Sequence, residues 1–452
     1  MDNLTREIAR FSCDWKYEEI VEHIPNLLAQ HIIDSIGCAL VAENTLPANI
    51  GKKISFGQTP GKFAGKTLFS AQTMPLDMAG FINSCMIRNY DFNDRFPGGH
   101  PSDGLGAHLA LAGSTKITGR EFILSALITY ETFIRITEAS KLRERGWDQG
   151  FAVGISAVAG LSRLLGLSFE QTANAISITG SATVPLRVSR SGALTAWKNV
   201  ATPFAARNAT FAAMLAAEGM PGPDSIFEGR AGLFDNITGP FIIDPLPHQG
   251  GKIRFEEVQI KYWPLEASGQ PVVWAALELR KKLGFSSIDE IEVIEIFCDS
   301  HGKNEIAGGP EKWDPQTRET ADHSMPYIFA RTFADGPPSI ASFSEAKVLD
   351  PTLRPLMNKI VVTIDKDIEA MTPENLAVRV VTRMRNGTIL EAKSRNPPGH
   401  PKNPMTREEI ATKFSKQAEP IIGSSRSQEI TDAWAELKSA PDVRPLISML
   451  NI

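Results

Sequence analysis

The chain has 452 residues, and its 47 lysines and arginines against 52 aspartates and glutamates give a formal net charge of −5. This near-balance argues against a nucleic-acid-binding protein, because such proteins usually carry a basic excess clustered on one face. Hydrophobic residues make up 42% and charged residues 22% of the sequence, which is typical of a globular protein with a large core.

The N-terminus and the cysteines favour a cytoplasmic protein. The first residues mix both charge signs and lack the apolar stretch of a secretion signal, and no run of about 18 apolar residues predicts a membrane span. The four cysteines have no CxxC spacing, which argues against a disulfide framework, a zinc site and an iron–sulfur cluster. We therefore expect a cytoplasmic protein without a metal centre.

A helical pattern runs almost throughout from Glu22 to about Glu218, with apolar residues three or four positions apart. Pro25 fits the first turn of the first of these helices, and Ser168 with Gln171 forms a capping-box pattern. Two segments rich in Ala, Gly and Ser, 152–166 and 200–217, predict closely packed helices at the centre of the core. Further helices are predicted at about 71–89, 104–114, 119–139, 150–165, 169–179 and 197–218.

The pattern changes to a mixed α+β character after about residue 250. Asn386 and Gly387 predict a two-residue hairpin before a strand that begins at Thr388. The other strands, rich in β-branched residues, are predicted at 291–297, 359–364 and 376–382, and helices at 267–283 and near 321–333.

A segment rich in Pro and Gly, 396–404, predicts a domain linker. Helical patterns return after it, at 406–417, 427–438 and 443–451. We therefore predict a mainly α fold in which a large all-helical domain, residues 1–254 and 405–452, carries an inserted smaller α+β domain, residues 255–404.

Common catalytic motifs are absent from the sequence: it has no GxxxxGK[ST], no GxGxxG after a strand, no HExxH and no GxSxG. The most polar segment is the loop 90–103, which holds three aspartates, Arg95 and His100 between Gly and Pro residues. The loop is either a site or a solvated turn whose aspartates cap the next helix, and its residues leave both interpretations open. His100 is the side chain best suited to exchange a proton near neutral pH.

A second polar cluster is cationic, with Arg187, Arg190 and Lys198 close to the start of an Ala-rich helix. These side chains either reach solvent or bind an anion such as a di- or tricarboxylate.

Two further polar segments follow. His323 lies in the segment 320–327 and is either a core histidine or a site residue, and the segment 262–270 lies at the predicted domain junction, where small-molecule clefts tend to form.

The order of these segments resembles the MmgE/PrpD family over residues 28–404. The motifs that carry the resemblance are DFND and GHPSD within 91–103, RGWDQ at 145–149, the helix that follows Lys198, YWPLEASGQ at 262–270 and TRETADHSMPY at 317–327. Known activities of that family are 2-methylcitrate dehydratase, cis-aconitate decarboxylase and iminodisuccinate epimerase. The resemblance implies a large helical domain with an inserted α+β domain, in a homodimer.

Three residues depart from the family pattern. Gln149 and Ser268 stand where many dehydratases and decarboxylases of the family have histidine, and Arg95 stands where threonine is common. Gln and Ser cannot relay protons at neutral pH, whereas an additional Arg strengthens carboxylate binding.

The resemblance, together with the polar clusters, predicts the site residues. His100 is expected to be the general acid or base, with Asp91 and Asp94 orienting it and raising its pKa. The predicted catalytic residues are His100, Lys198, Asp91 and Tyr327. The predicted substrate-binding residues are Asn93, Asp94, Arg95, Gln149, Arg187, Arg190, Ser268 and His323.

The predicted function is a cofactor-independent lyase, either a hydro-lyase or a decarboxylase, that moves a proton at a carbon next to a carboxylate of a small di- or tricarboxylate. The alternatives are an epimerase of an iminodisuccinate-like dicarboxylate and a non-catalytic polycarboxylate-binding homologue. The expected partners are the substrate and a second copy of the chain, with no nucleic acid, membrane, metal or organic cofactor.

Overall fold

The computed structural model describes residues 1–283 and 288–452, and within them the chain is mainly helical with one four-stranded and one two-stranded sheet. The prediction of a mainly α fold with a smaller mixed part is therefore confirmed. The helices before residue 220 are α1 Asn3–Asp14, α2 Ile24–Val41, α3 Leu46–Ile54, α4 Leu76–Arg88, α5 Gly106–Ser114, α6 Gly119–Ser140, α7 Gly150–Leu164, α8 Phe169–Ala182 and α9 Ala201–Ala217.

The boundaries of these helices follow from local chemistry. The capping box at α8 is confirmed, since the Ser168 hydroxyl accepts from the Gln171 N–H and the Gln171 side chain accepts from the Ser168 N–H. The helix predicted at 71–89 begins later because a short hairpin, β1 Ala64–Lys66 with β2 Thr73–Pro75, precedes it. Helix α1 was not predicted from the sequence; Asp2 caps it by accepting from the Thr5 N–H.

The later elements surround a sheet of four strands, β3 Ile291–Cys298, β4 Ile360–Ile364, β5 Ala377–Met384 and β6 Ile389–Arg395. Their order is β4-β3-β5-β6, with β3 parallel to β4 and the other pairs antiparallel. The helices are α10 Gly269–Leu283, α11 Ser300–Ile306, α12 Pro310–Trp313, α13 Arg318–Ala321, α14 Met325–Asp335, α15 Glu345–Val348, α16 Arg354–Met357, α17 Lys366–Glu369, α18 Arg407–Ile422, α19 Ser424–Ala435 and α20 Arg444–Ser448.

The hairpin between β5 and β6 is present, but its turn differs from the one predicted. Gly387 has φ +85°, whereas Asn386 is not among the residues with positive φ. A two-residue type I′ turn requires positive φ at both central positions. The Gly387 N–H instead bonds the Met384 carbonyl at 2.9 Å and the Met384 N–H bonds the Thr388 carbonyl at 2.8 Å, as in a three-residue loop with a left-handed glycine.

The buried apolar side chains form two clusters. The first, which we call the helical core, draws on residues between 4 and 260 and between 405 and 450, and the second, the mixed core, on residues between 265 and 392. Helix α7 is buried from Gly150 to Ser162 and packs against α6, α8 and α9, which confirms the prediction of closely packed small residues at the centre. The domain limits 1–254 with 405–452, and 255–404, remain a prediction.

Two other features concern the surroundings of the helical core. Helix α2, Ile24–Val41, is long and apolar enough to cross a membrane by length and composition, and 78% of these residues are buried inside the fold.

The segment 396–404 contains no helix or named strand, and it packs tightly: a Cβ on Gly399, which has φ +92°, would lie 1.8 Å from the Ile260 carbonyl. The segment therefore packs against Ile260, the residue before Lys261.

Candidate active site

Asp91 is the centre of a buried cluster of charge just beyond the end of α4. Its carboxylate pairs with Arg88, and Lys261 Nζ donates to Asp91 Oδ2 at 2.5 Å and to the Asp91 carbonyl at 2.7 Å. Lys198 Nζ lies 3.2 Å from Asp91 Oδ1. The backbone of Asp91 is left-handed, with φ +50°, which turns the chain sharply and directs the carboxylate among these cations.

The charge states in this cluster follow from burial and from neighbouring charges. Burial raises the pKa of Asp91, but Arg88, Lys198, Lys261 and His100 outweigh it, so that the pKa lies well below its ordinary value. Asp91 is therefore an ionised carboxylate among three cations.

His100 is held by one nitrogen and presents the other to Asp91. Its Nδ1 lies 2.6 Å from the Asp94 carbonyl, to which it donates, so the neutral ring has its lone pair on Nε2. Nε2 lies 3.7 Å from Asp91 Oδ1. This nitrogen is the one available to accept a proton.

The predicted increase in the pKa of His100 is wrong in direction. Burial lowers the pKa well below the ordinary value, Arg88 and Lys261 lower it further, and Asp91 with the Asp94 carbonyl only partly opposes them. His100 is therefore a neutral imidazole at neutral pH, as a general base requires.

Lys198 is buried in a short 3₁₀ turn, Ala196–Asn199, that leads into α9. Burial lowers its pKa to about 8, Asp91 and Asp322 oppose this shift, and Arg88 and Arg190 add to it. Its ammonium approaches Asp91 without the geometry of a hydrogen bond to any described residue. Lys198 therefore carries an unused donor beside an ionised carboxylate.

A polar cavity surrounds these residues between the helical core and the mixed core. Eight cationic side chains line it against three carboxylates, together with Gln149 and three imidazoles. Such an excess of positive charge, removed from water, favours a ligand with several negative charges. The charged and imidazole side chains are Arg88, Arg95, Arg143, Arg187, Arg190, Lys198, Lys261, Lys312, Asp91, Glu266, Glu305, His100, His301 and His323.

The cavity contains most of the predicted site residues. Gln149 is buried, and its Oε1 has no partner in the part of the chain that the structure describes, so it can accept a hydrogen bond from a ligand. His323 lies 2.5 Å through Nδ1 from Asp322 Oδ1, and burial together with Lys198 lowers its pKa. The predicted residues that line the cavity are Asp91, Arg95, His100, Gln149, Arg187, Arg190, Lys198 and His323.

The two arginines of the predicted cationic loop are less free than expected. Arg187 pairs with Glu305, and Arg190 Nε donates to Asp148 Oδ2 at 2.5 Å. In contrast, Arg143 makes no side-chain hydrogen bond or ion pair with any residue that the structure describes. The unpaired guanidinium of the cavity is therefore one that the sequence did not indicate.

Tyr327 lies outside the cavity, which corrects its predicted catalytic role. It is buried in the mixed core, and its hydroxyl donates to the Ser342 carbonyl at 2.7 Å. Tyr327 thus lies on the face of α14 that packs into the mixed core.

Three predicted substrate-binding residues also do not line the cavity. Asn93 Nδ2 donates to Ser102 Oγ at 2.8 Å and to Asp103 Oδ1 at 2.9 Å. The carboxylate of Asp94 accepts from the Tyr130 hydroxyl at 2.6 Å, so only its carbonyl orients His100. Ser268 is buried and is not among the residues that line the cavity.

Sequence reasoning missed Arg88, Lys261, Glu266, Arg143 and His301. Arg88 precedes Asp91 by three residues and Lys261 immediately precedes the YWPLEASGQ segment, so their proximity to these motifs was a usable signal. Arg143 and His301 lie in no motif and reach the cavity only through the fold. Among residues 1–283 and 288–452, no group of three or more His, Cys, Asp or Glu side chains is arranged to hold a metal ion.

Comparison with known proteins places this geometry in context. The profile of the MmgE/PrpD N-terminal domain matches residues 6–245, and that of the MmgE/PrpD C-terminal domain matches residues 263–438. Human cis-aconitate decarboxylase is 22% identical, with 100% of this chain and 95% of the relative covered. The 2-methylcitrate dehydratase of Cupriavidus necator is 25% identical (89% and 89% covered) and the alkylcitrate dehydratase of Talaromyces stipitatus is 26% identical (85% and 84%).

Proposed function

Because the chain belongs to the MmgE/PrpD family, we propose that it is a cofactor-independent lyase, a hydro-lyase or decarboxylase acting on a small di- or tricarboxylate. The observation that carries this proposal is the cavity itself, where an unprotonated imidazole lies among eight cationic side chains and three carboxylates. Similarity to dehydratases and decarboxylases of carboxylates supports the same reaction class.

The cavity residues have different roles in the proposed reaction. Lys198 and Arg143 hold substrate carboxylates, since both cations have donors that no described residue uses. His100 Nε2 takes the proton from the carbon next to a carboxylate, and the negative charge that then develops is stabilised by the fixed cations. In a site closed to water, such preorganised stabilisation is usually the largest catalytic contribution.

Asp91 acts through its neighbours. Its negative charge raises the pKa values of Lys198 and Lys261, which opposes the lowering by burial and favours the protonated form of both side chains. It also faces the imidazole nitrogen that receives the proton, so that the imidazolium formed in the reaction is stabilised.

Proton NMR in D₂O with 2-methylcitrate, citrate, cis-aconitate and iminodisuccinate tests the proposal. We expect an alkene product from a hydroxy acid, or loss of carbon dioxide from an unsaturated acid, at an unchanged rate after exhaustive chelation. Absence of turnover of all four compounds, with tight binding of citrate, would instead support a non-catalytic polycarboxylate-binding protein. Loss of activity on chelation, restored by a divalent ion, would contradict a cofactor-independent mechanism.

A second candidate is epimerisation of an iminodisuccinate-like dicarboxylate, and the low pKa of Lys198, about 8, favours it. Epimerisation needs two groups that exchange protons with one carbon, and Lys198 with His100 approaches the same Asp91 oxygen at 3.2 and 3.7 Å. In the D₂O experiment, epimerisation would give incorporation of one deuteron into iminodisuccinate with no new alkene.

We also propose that the protein is a homodimer formed through the outer surface of the helices that surround the helical core. Helices α3 and α9 both pack against α4, and each leaves large apolar side chains exposed. A second copy with the same face would cover them. Sedimentation should show about twice the chain mass of 49.4 kDa, and Phe211→Glu should shift the protein toward monomer; a monomer at micromolar concentration would contradict the dimer. The exposed apolar residues are Leu46, Ile50, Ile54, Phe56, Trp197, Phe204 and Phe211.

A further inference from the structure

Asp94 makes three hydrogen bonds that hold the loop carrying His100. Its carbonyl accepts from His100 Nδ1 at 2.6 Å, and its carboxylate oxygen Oδ1 accepts from the Ser102 N–H at 3.2 Å. The other carboxylate oxygen, Oδ2, accepts from the Tyr130 hydroxyl at 2.6 Å. Asp94 therefore holds the imidazole through its backbone and is itself held through its side chain.

Tyr130 provides the third of these hydrogen bonds from outside the loop. It lies in the middle of α6 and is fully buried. Its ring packs edge-to-face against the rings of His31 and Phe255, with centroids 6.3 and 4.8 Å away. Burial together with the charge of Asp94 raises the pKa of Tyr130 well above its ordinary value. The hydroxyl is therefore a protonated donor whose direction is fixed by the packing of its ring.

The peptide unit that joins Asp94 to Arg95 lies between His100 and a distant segment. The Arg95 N–H donates to the Gln259 carbonyl at 2.8 Å, and the Gln259 N–H donates to the Arg95 carbonyl at 2.7 Å. The Asp94 carbonyl belongs to the same peptide unit as the Arg95 N–H, so this pairing holds one side of the unit. The hydrogen bonds of the Asp94 carboxylate hold the other side, since they restrict rotation about Asp94 Cα.

We propose that Tyr130 is a positioning residue for the base. By holding the Asp94 carboxylate, it keeps the Asp94 carbonyl aligned with Nδ1 of His100 and directs the lone pair on Nε2 toward the reacting carbon. The proposal rests on the proposed function, in which His100 Nε2 takes the proton. The hydrogen bond at one imidazole nitrogen decides which nitrogen carries the proton, and small misplacements of a catalytic group are costly.

Tyr327 provides a matched control for Tyr130. Both residues are buried, and each hydroxyl donates one hydrogen bond, at 2.6 Å from Tyr130 to Asp94 and at 2.7 Å from Tyr327 to the Ser342 carbonyl. Replacement by Phe removes the same group from both. A difference in kcat per folded molecule between the two variants therefore reports the connection to His100.

Steady-state kinetics with the substrate that the D₂O panel identifies tests the proposal. Tyr130→Phe should lower kcat per folded molecule about 10- to 100-fold and change KM less than about threefold, because the base is misplaced while the residues that hold the substrate are untouched. Tyr327→Phe should change kcat less than about threefold, since its bond supports only the mixed core. Equal kcat values for the two variants, or a change in KM alone, would overturn the positioning role.

A double variant shows whether Tyr130 acts through His100. In His100→Asn the base is already absent, so adding Tyr130→Phe should lower the residual kcat less than about twofold. A contribution independent of His100 would give the same loss with and without the imidazole. That additive result would contradict the proposal.

A further measurement requires no turnover. Two-bond ¹H–¹⁵N spectra of protein labelled at histidine show which nitrogen of a neutral imidazole carries the proton. We expect the same Nδ1-protonated signal of His100 in the wild type and in Tyr327→Phe. In Tyr130→Phe this signal should move in the direction of a weaker hydrogen bond or be replaced in part by an Nε2-protonated ring. An unchanged signal in Tyr130→Phe would contradict the proposal.

The two kinds of measurement separate this proposal from the proposed function. If the His100 signal changes in Tyr130→Phe while the wild type converts none of the four compounds, Tyr130 orients the imidazole and the lyase function fails. If the wild type is active and Tyr130→Phe matches Tyr327→Phe in both kcat and spectrum, the positioning role fails and the lyase function stands.

Discussion

Two buried clusters of charge, one around Glu131 and one around Asp91, both combine carboxylates with cations, and their hydrogen bonds are completed to different extents. Around Glu131 and Arg135 every strong donor has a fixed acceptor: the guanidinium pairs with Glu131 and donates to the carbonyls of Asp244, Pro245 and Lys252. The other Glu131 oxygen accepts from two backbone N–H groups at 2.8 Å each. This cluster ties α6 to the chain near residues 244–255 and leaves no donor for a ligand.

In the cluster around Asp91, three cations surround one carboxylate, and Arg88 Nε also lies 3.4 Å from Asp103 Oδ2. Two of the donors, Lys198 Nζ and Arg88 Nε, lack a hydrogen-bond partner among the described residues. Burying charge without full compensation costs stability, so such an arrangement persists where it serves a ligand or a reaction. The contrast indicates that completeness of hydrogen bonding, more than burial or residue type, separates a structural ion pair from a site.

The largest expected effect is the loss of catalytic rate when His100, which belongs to the cluster around Asp91, is replaced. His100→Asn should lower kcat by about 10²- to 10⁴-fold with little change in substrate affinity, because it removes the base. Steady-state kinetics checks this, with thermal melting to confirm that the variant is folded. A loss of the same size in the substrate affinity alone would make His100 a binding residue.

Arg135→Met should act on stability and leave catalysis intact. It leaves Glu131 as a buried charge without its cation, so the free energy of unfolding should fall by about 3–5 kcal/mol. Urea unfolding measures this change, and kcat per folded molecule should stay within about threefold of the wild type. If kcat per folded molecule fell as well, the cluster around Glu131 would also contribute to catalysis, and the distinction between the two clusters would be wrong.

The pH dependence of kcat/KM should report Lys198. Its pKa is lowered to about 8 from an ordinary value of 10.5, so its charged form is lost as the pH rises through 8. We expect kcat/KM to fall above pH 8 by up to about tenfold per unit. Lys198→Arg should abolish this limb even where its overall rate is lower, since a guanidinium stays protonated; persistence of the limb would assign it to another group.

The smallest effect is expected for Tyr327→Phe. The hydroxyl bonds a backbone carbonyl in the mixed core, so its loss should cost about 1 kcal/mol of stability and change kcat less than about threefold. A decrease of 10²-fold or more would restore the catalytic role that the resemblance implied.

These residues also show how far the sequence predicts the structure. The strands at 291–298 and 377–384 and the capped start of α8 depend on local patterns, and they were predicted to within a few residues. The approach of Lys261 to Asp91, or of His301 to the cavity, depends on contacts between distant segments, which no local pattern contains. The direction of the His100 pKa shift was wrong for the same reason, because the burial that lowers this pKa most, and the contribution of Lys261 from far along the chain, both depend on the folded structure.

The left-handed backbone of Asp91 restricts what evolution or an engineer can place there. Glu would supply a carboxylate but seldom adopts φ near +50°, whereas Gly and Asn adopt it readily and carry no charge. Aspartate alone meets the conformational and the electrostatic requirement together. Any single substitution of Asp91 therefore loses either the left-handed backbone conformation or the negative charge. A homologue with another residue at position 91 must also differ in the loop that follows α4.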